Sequence, residues 1–552
     1  MTAARADGLG GGMLRTLARA GVAAGAGAAA YLAYDSAKTE EHRAIPHTIS
    51  KNGQEHHHVV VVGGGAGGCS VASMIARKLG GQDADVAVIE PSEWHYYQPL
   101  WTMAAGGLAP VEQSRRRMSS VIPESAHWIK QHAARFDPDK NTVMLGDGTR
   151  VTYDYLVVAT GLLPDWHAVK GLADALNKDD GVVTSHGFKQ AAAAWHAVEA
   201  FRGGVALFSQ PQEGVTYGST AQTQSAMFLA EYYWRSRQGA EQQPAFSVEY
   251  CSGEMSVLST APPRFGARLK ALCAERNIAL QLGHELVEVD GRRRLAFFRL
   301  PTGERVSKRY DLLHVTPQMR VPACLSRSKL VEGAHANALV EVDSGTLQHK
   351  RYPNVFALGD CANLPTPKTA ASITEQAPVL AHNLKCVVDG RDPSARYDGY
   401  TSCPVFVGRG QLVLAEYKYG GVARETFPVF VNQARESAVF CMIQTVLFPL
   451  ACVRSDVQRR ARGASTHLVR VTWAALRARE APPRLHTPRP FLPPPSTPSR
   501  RERLCRLELH AAGPMVWAAN LLRAGLRRQQ GFDVGARLLI TSETCRALKS
   551  AR

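Results

Sequence analysis

An α/β fold is predicted by three stretches of this sequence. Residues 59–62, four consecutive valines, run into Gly63-Gly64-Gly65-Ala66-Gly67-Gly68 and then into a helical segment at about 69–79. A second apolar run at 86–89 ends in Glu90, 22 residues beyond Gly68. Two later strand-like runs, at 151–158 and 354–358, each lead into a glycine-containing turn, Ala159-Thr160-Gly161 and Gly359-Asp360. Short apolar runs closed by glycine turns, with a helical segment after the first, are the pattern of a parallel sheet covered by helices. At 552 residues, of which 45% are hydrophobic, the chain has material for two or three domains.

The first element carries chemistry as well as structure. Gly63, Gly65 and Gly68 complete a GxGxxG between strand and helix. In that motif the first glycine makes the tight turn and the second lets backbone approach a pyrophosphate. The third lets the helix pack closely on the strand. The helix then aims its first amides at the phosphates. Glu90 stands where an acid would accept the hydroxyls of a ribose. Strand, glycines, helix, strand and acid together specify dinucleotide binding, although FAD and NAD share this fingerprint.

The flanks and the charge follow a different logic. Residues 1–33 hold Arg5, Arg15 and Arg19 against one acid, Asp7, amid many Ala and Gly, as in a mitochondrial or plastid transit segment. The net charge is +17, but 453–552 alone hold 20 Lys+Arg against 6 Asp+Glu, so the body is nearly neutral. That distribution argues against a nucleic-acid partner. The 453–514 stretch, with 13 Arg, no Lys and runs such as Pro493-Pro494-Pro495, reads as disordered; it has the look of translated non-coding sequence, with an authentic lipid- or RNA-binding tail as the rival. Eleven cysteines are scattered without a CxxC pair, which excludes a zinc ribbon and a thioredoxin-type motif, and no metal site is expected.

The choice of cofactor comes from resemblance. The string 147–161, ending Ala159-Thr160-Gly161, resembles the return segment of pyridine-nucleotide-disulfide-type flavoproteins. Tyr352-Pro353-Asn354-Val355-Phe356-Ala357-Leu358-Gly359-Asp360 resembles their second FAD motif. The resemblance implies two interleaved Rossmann-like domains and FAD, with Asp360 on the ribityl chain. The middle strand at 205–208 is followed by Ser209-Gln210-Pro211 and not by a second GxGxxG. Without those glycines a nicotinamide dinucleotide cannot come close to the backbone, so an NADH:quinone oxidoreductase is the less favoured alternative.

Further strings are similar to those of the mitochondrial-type sulfide:quinone oxidoreductase family. They include the run from Glu90 to Trp101, Leu313-His314-Val315-Thr316-Pro317, the run from Gly359 to Thr366, and Asp398-Gly399-Tyr400-Thr401-Ser402-Cys403-Pro404. The resemblance implies oxidation of hydrogen sulfide, with electrons passing through FAD to ubiquinone and sulfur to a small acceptor, at the inner mitochondrial membrane. Cys403 then matches the cysteine that carries sulfide sulfur, while Tyr217 stands where the family has its second redox cysteine. A phenol forms no disulfide, so a member with impaired or no turnover is the other alternative. Gly63, Gly65, Gly68, Glu90, Gly161, Gly359 and Asp360 are the expected FAD residues, and Gln98, Ala133, Lys368 and Thr369 join them by resemblance. The expected organisation is a leader at 1–54, FAD halves at 55–170 and 311–400, and the second dinucleotide-type domain at 171–310. A thiol and membrane-associating region at 401–452, with an apolar stretch at 437–453, precedes the tail at 453–552.

Overall fold

The computed structural model describes residues 55–80, 84–176, 178, 180–212, 220–238, 245–331, 333, 338–426, 428 and 432–447. The leader, Tyr217 and the Arg/Pro-rich tail lie outside the described residues.

The chain enters on β1 (Glu55–Val62), turns into α1 (Ala66–Lys78) and returns as β2 (Val86–Ile89). Residues β3 (Ala126–Ile129), β4 (Ala133–Asp137), β5 (Thr142–Leu145) and β6 (Arg150–Val158) follow, in the sheet order β3-β2-β1-β6-β5-β4. The pairings β3–β2, β2–β1 and β1–β6 are parallel, with Val59 opposite Val86 and Tyr155. Val59, Val60 and Val61 are wholly buried, as expected of a parallel strand covered on both faces. Along the edge of β6 away from β1, Val151 and Thr152 pair antiparallel with β5, while 156–158 are left for another strand.

A second parallel sheet occupies the middle of the chain. It comprises β7 (Val182–Val183), β8 (Gly204–Gln210), β9 (Phe246–Ser252), β10 (Ile278–Leu282) and β11 (Leu312–Val315), in the order β7-β11-β8-β9-β10. Helices α2 (Thr220–Gln238) and α3 (Pro263–Glu275) make its crossovers. A three-stranded antiparallel sheet at 285–309 is inserted before β11.

The chain then goes back to the first sheet. Strand β12 (Val355–Ala357) pairs in parallel with the free half of β6, Val355 opposite Leu156, and so closes the first sheet with residues some 200 positions downstream. Helix α4 (Ala370–Val388) packs against α1. A final hairpin, β13 (Thr401–Gly408) and β14 (Gln411–Lys418), lies on α2, with the Phe406 amide donating to Ser225 Oγ at 3.0 Å. The predicted apolar stretch begins as α5 (Ala438–Met442), continued to Leu447 by a wider π turn. Phe440 and Cys441 pack inward, whereas Val439 and Met442 are 59% and 43% exposed. Among the described residues no helix is long and apolar enough to cross a membrane.

Asn383, wholly buried on α4, joins that helix to the approach of the hairpin. Its amide donates to Thr346 O and Ala395 O, both at 2.9 Å, and its carbonyl accepts from the Ala395 amide at 2.8 Å. Asn383→Ala removes three bonds and leaves backbone groups without partners, a loss of about 2–4 kcal/mol. A clear fall in melting temperature by circular dichroism is expected; an unchanged melting curve would show that this tie is dispensable.

Candidate dinucleotide and thiol site

The carboxyl ends of β1, β6 and β12 meet at one rim. Gly63 has φ +109°, and a Cβ there would lie 2.3 Å from the Ala159 carbonyl oxygen. A Cβ on Gly68 would sit 1.8 Å from the Gly63 carbonyl oxygen, so α1 packs on β1 as closely as backbone allows. Gly65 is the residue before α1 and meets open space where its Cβ would point. Gly63 and Gly68 thus have the tight-turn and close-packing geometry of the motif, and the space at Gly65 is compatible with the approach of a phosphate. Glu90 ends β2 with Oε2 accepting from the Gly64 amide and Oε1 from Ser92, both at 2.7 Å. Each oxygen keeps a lone pair for a hydroxyl donor. His95 adds a ring nitrogen 3.0 Å from Gly64 O.

The rest of the rim comes from the later segments. Gly161 has φ +63° and open space beside it, and Gly359 has φ +74° with its amide donating to Gln376 Oε1 at 2.8 Å. A Cβ on Gly67 would be in ordinary contact with Leu358 and Ile373, which places the glycine turn directly against the Leu358–Asp360 turn. Asp360 is partly accessible but packed round by protein. Burial raises its carboxyl above the usual range, and Lys368 opposes that rise. Lys368 donates to Ala362 O at 2.8 Å and Leu364 O at 3.1 Å, and burial lowers its ammonium to about 8 against the pull of Asp360. Thr369 caps α4, its Oγ1 accepting from the Ser372 amide at 3.2 Å.

Two further predicted residues lie on other elements. Gln98 is exposed at the start of the short helix Pro99–Ala105, and Ala133 opens the edge strand β4 opposite Leu145. Their part in cofactor binding is carried by the resemblance.

Cys403 lies in β13, buried, opposite Ala415 of β14. Its Sγ is 3.4 Å from Tyr417 Oη, which is 2.9 Å from Thr260 Oγ1 of the middle domain. On the other side, Thr401 Oγ1 is 2.9 Å from Thr369 Oγ1. The hairpin therefore links the Lys368-Thr369 segment to Cys403 through one hydroxyl contact and two residues of strand. Sequence reasoning missed Tyr417, although the glycine-flanked turn at 408–410 sets the register that pairs Thr401 with Tyr417, diagonal to Cys403. Glu416, also missed, is buried in β14 and accepts from Tyr400 Oη (2.6 Å), Thr426 Oγ1 (2.8 Å), the Thr426 amide (2.8 Å) and Gln433 Nε2 (2.8 Å), which fixes the hairpin. Two other buried thiols are held in their protonated form. Burial pushes Cys251 up to about 12, and Cys361, also raised by burial, turns its Sγ towards Val158 O at 3.6 Å.

The family model of pyridine nucleotide-disulphide oxidoreductases matches residues 57–201. The mitochondrial sulfide:quinone oxidoreductase of Dictyostelium discoideum is 37% identical over 401 residues, covering 72% of this chain and 86% of that protein. The mitochondrial sulfide:quinone oxidoreductase of Mus musculus is 34% identical, covering 69% and 82%. In fold, the chain is similar to the sulfide:quinone oxidoreductase from Aquifex aeolicus, with a TM-score of 0.61 at 18% identity over 76% of this chain and 95% of that one.

Gly68→Val would drive side-chain atoms into the Gly63 carbonyl and open the turn. The purified variant is expected to have lost most of its flavin absorbance relative to protein absorbance. Wild-type flavin content in that variant would refute the assignment of this turn to the cofactor.

Proposed function

The chain belongs to the mitochondrial sulfide:quinone oxidoreductase family, and we propose that it oxidises hydrogen sulfide and passes the electrons to ubiquinone. It is an FAD-dependent oxidoreductase, and the rim fits that cofactor: open space at Gly65 and Gly161, an acid with spare lone pairs at Glu90, and a partly accessible carboxyl at Asp360. FAD, when bound, supplies a two-electron acceptor able to hand electrons on to a quinone. Gly63, Gly65 and Gly68 with the first amides of α1 would receive the pyrophosphate, Glu90 the ribose, and Asp360 the ribityl hydroxyls. Lys368, Thr369, Gly161 and Gly359 would line the remainder, with Gln98 and Ala133 nearer the ends.

Cys403 would take up the sulfur. In the balanced reaction, hydrogen sulfide and the Cys403 thiol become a persulfide while the quinone gains two electrons and two protons as quinol. The observation that carries the reading is the Thr369–Thr401 contact, which ties the cofactor rim to the strand of the buried thiol. Tyr217 cannot serve as the second thiol of such a cycle; a small mobile thiol or another nucleophile would accept the Cys403 sulfur, as the resemblance implies. The exposed side chains of Val439 and Met442 support a peripheral seat of this end of the chain on the inner mitochondrial membrane, where quinone is dissolved.

The deciding experiment is anaerobic addition of sulfide to the flavin-loaded protein, followed by ubiquinone. Bleaching of the flavin band and its recovery on ubiquinone are expected. A flavin that stays oxidised under sulfide would sink the reading. Cys403→Ser should retain its flavin yet bleach about 100-fold more slowly, because the hydroxyl is a far weaker sulfur nucleophile; stopped-flow absorbance compares the two.

A further inference from the structure

At the end of the first sheet opposite the cofactor rim, three adjacent parallel strands each begin with a metal-ligating side chain. They are His57 on β1, Asp85 just before β2, and His127 on β3. The sheet order β3-β2-β1 places Asp85 between the two histidines, and the register pairs Val59 with Val86 and Ala87 with His127. One ligand atom from each residue lies within 4.8 Å of the other two.

Alternation along β1 separates His57 from its neighbours. His56 faces Thr152 Oγ1 at 2.9 Å and His58 faces Asp154 Oδ2 at 2.8 Å, while His57 is wholly buried on the other side. His57 Nδ1 is 2.6 Å from Asp85 Oδ1, and its ring centroid is 5.0 Å from that of His127. Outer partners orient these groups. His57 Nε2 is 3.2 Å from Glu55 Oε1, a contact that orients the ring with Nδ1 facing Asp85. Asp85 Oδ2 accepts from the His58 amide at 3.1 Å, which leaves Oδ1 for the cluster.

We propose that His57 Nδ1, Asp85 Oδ1 and His127 bind one divalent transition-metal ion of the zinc class, with water as the fourth ligand. Two imidazoles and a carboxylate, with the first imidazole backed by a second carboxylate, are a donor set that zinc favours over calcium or magnesium. The ion displaces the proton that His57 and Asp85 otherwise share. Its distance from Gly63, about 20 Å along β1 at the usual rise per residue, makes it a staple of the sheet entrance, separate from the redox chemistry and independent of the proposed function.

The test uses the full-length, flavin-loaded protein, treated with chelator, dialysed against zinc and assayed for metal per flavin by mass spectrometry. About one equivalent of zinc per flavin is expected, as for a three-ligand protein site, together with a rise in melting temperature. His127→Gln and Asp85→Asn should each lose most of that zinc and the thermal shift while keeping wild-type flavin content. The wild-type flavin content shows that these variants are folded. If His57→Gln fails to fold, those two substitutions still decide. Wild-type protein without zinc would overturn the proposal, and so would variants that bind zinc as well as wild type, since the metal would then sit elsewhere.

Discussion

Everything at the rim depends on one backbone approach, that of Gly63 to the carbonyl of Ala159. A Cβ at Gly63 would be only 2.3 Å from that oxygen, so the ends of β1 and β6 can lie this close only with glycine there. The approach lets the Ala159 amide donate to Val62 O at 2.8 Å, and Leu358 in turn donates to Val158 O at 3.2 Å. Three chain segments that are far apart in sequence thereby end at the same level. The parallel strands deliver their termini, and hence Glu90, Gly161 and Asp360, to one edge, where ligands of such sheets bind.

The second dependence is the coupling of that rim to the thiol. Cys403 belongs to a hairpin that makes its largest helix contact with the middle domain, through α2, and its position relative to the cofactor rests on polar ties. Thr369 both caps α4 and contacts Thr401, so the helix end, the Lys368 segment and β13 are set by one hydroxyl. Glu416, saturated with donors from Tyr400, Thr426 and Gln433, holds the far strand. A buried carboxylate so fully bonded adds specificity of position even where its net stabilisation is small.

The fold was legible in the sequence where the signal is local. Four valines before a glycine turn, with an acid after the next strand, identify β1, α1, β2 and the dinucleotide turn from adjacent residues alone. The return of β12 to β6 was legible only through the resemblance of the 352–360 string to the second FAD motif of flavoproteins, since nothing local in a short apolar run names its partner strand. What the sequence did not display is what depends on pairing between distant strands. Tyr417 reads as an ordinary strand aromatic until the hairpin register sets it diagonal to Cys403. His57 reads as one of three histidines until β2 and β3 bring Asp85 and His127 beside it. Gln98 and Ala133 carry no local signature of the cofactor role that the resemblance implies for them, since one only precedes a helix and the other only opens an edge strand.

The pairing of Cys403 with Tyr417 bears on how a buried thiol can do chemistry at all. Sulfur exchange requires a thiolate, and a thiolate surrounded by apolar side chains is costly unless a donor faces it. The buried cluster that holds Cys403 includes Val405, Val407 and Leu258, whose side chains cannot donate. The Tyr417 hydroxyl can, and Thr260 beyond it can take or return a proton along the same line. The hydroxyl chain runs from Cys403 through Tyr417 to Thr260 of the middle domain. In the proposed reaction this hydroxyl chain would give the thiol's proton a route into the protein, apart from the Thr369 contact by which Thr401 ties the strand to the rim.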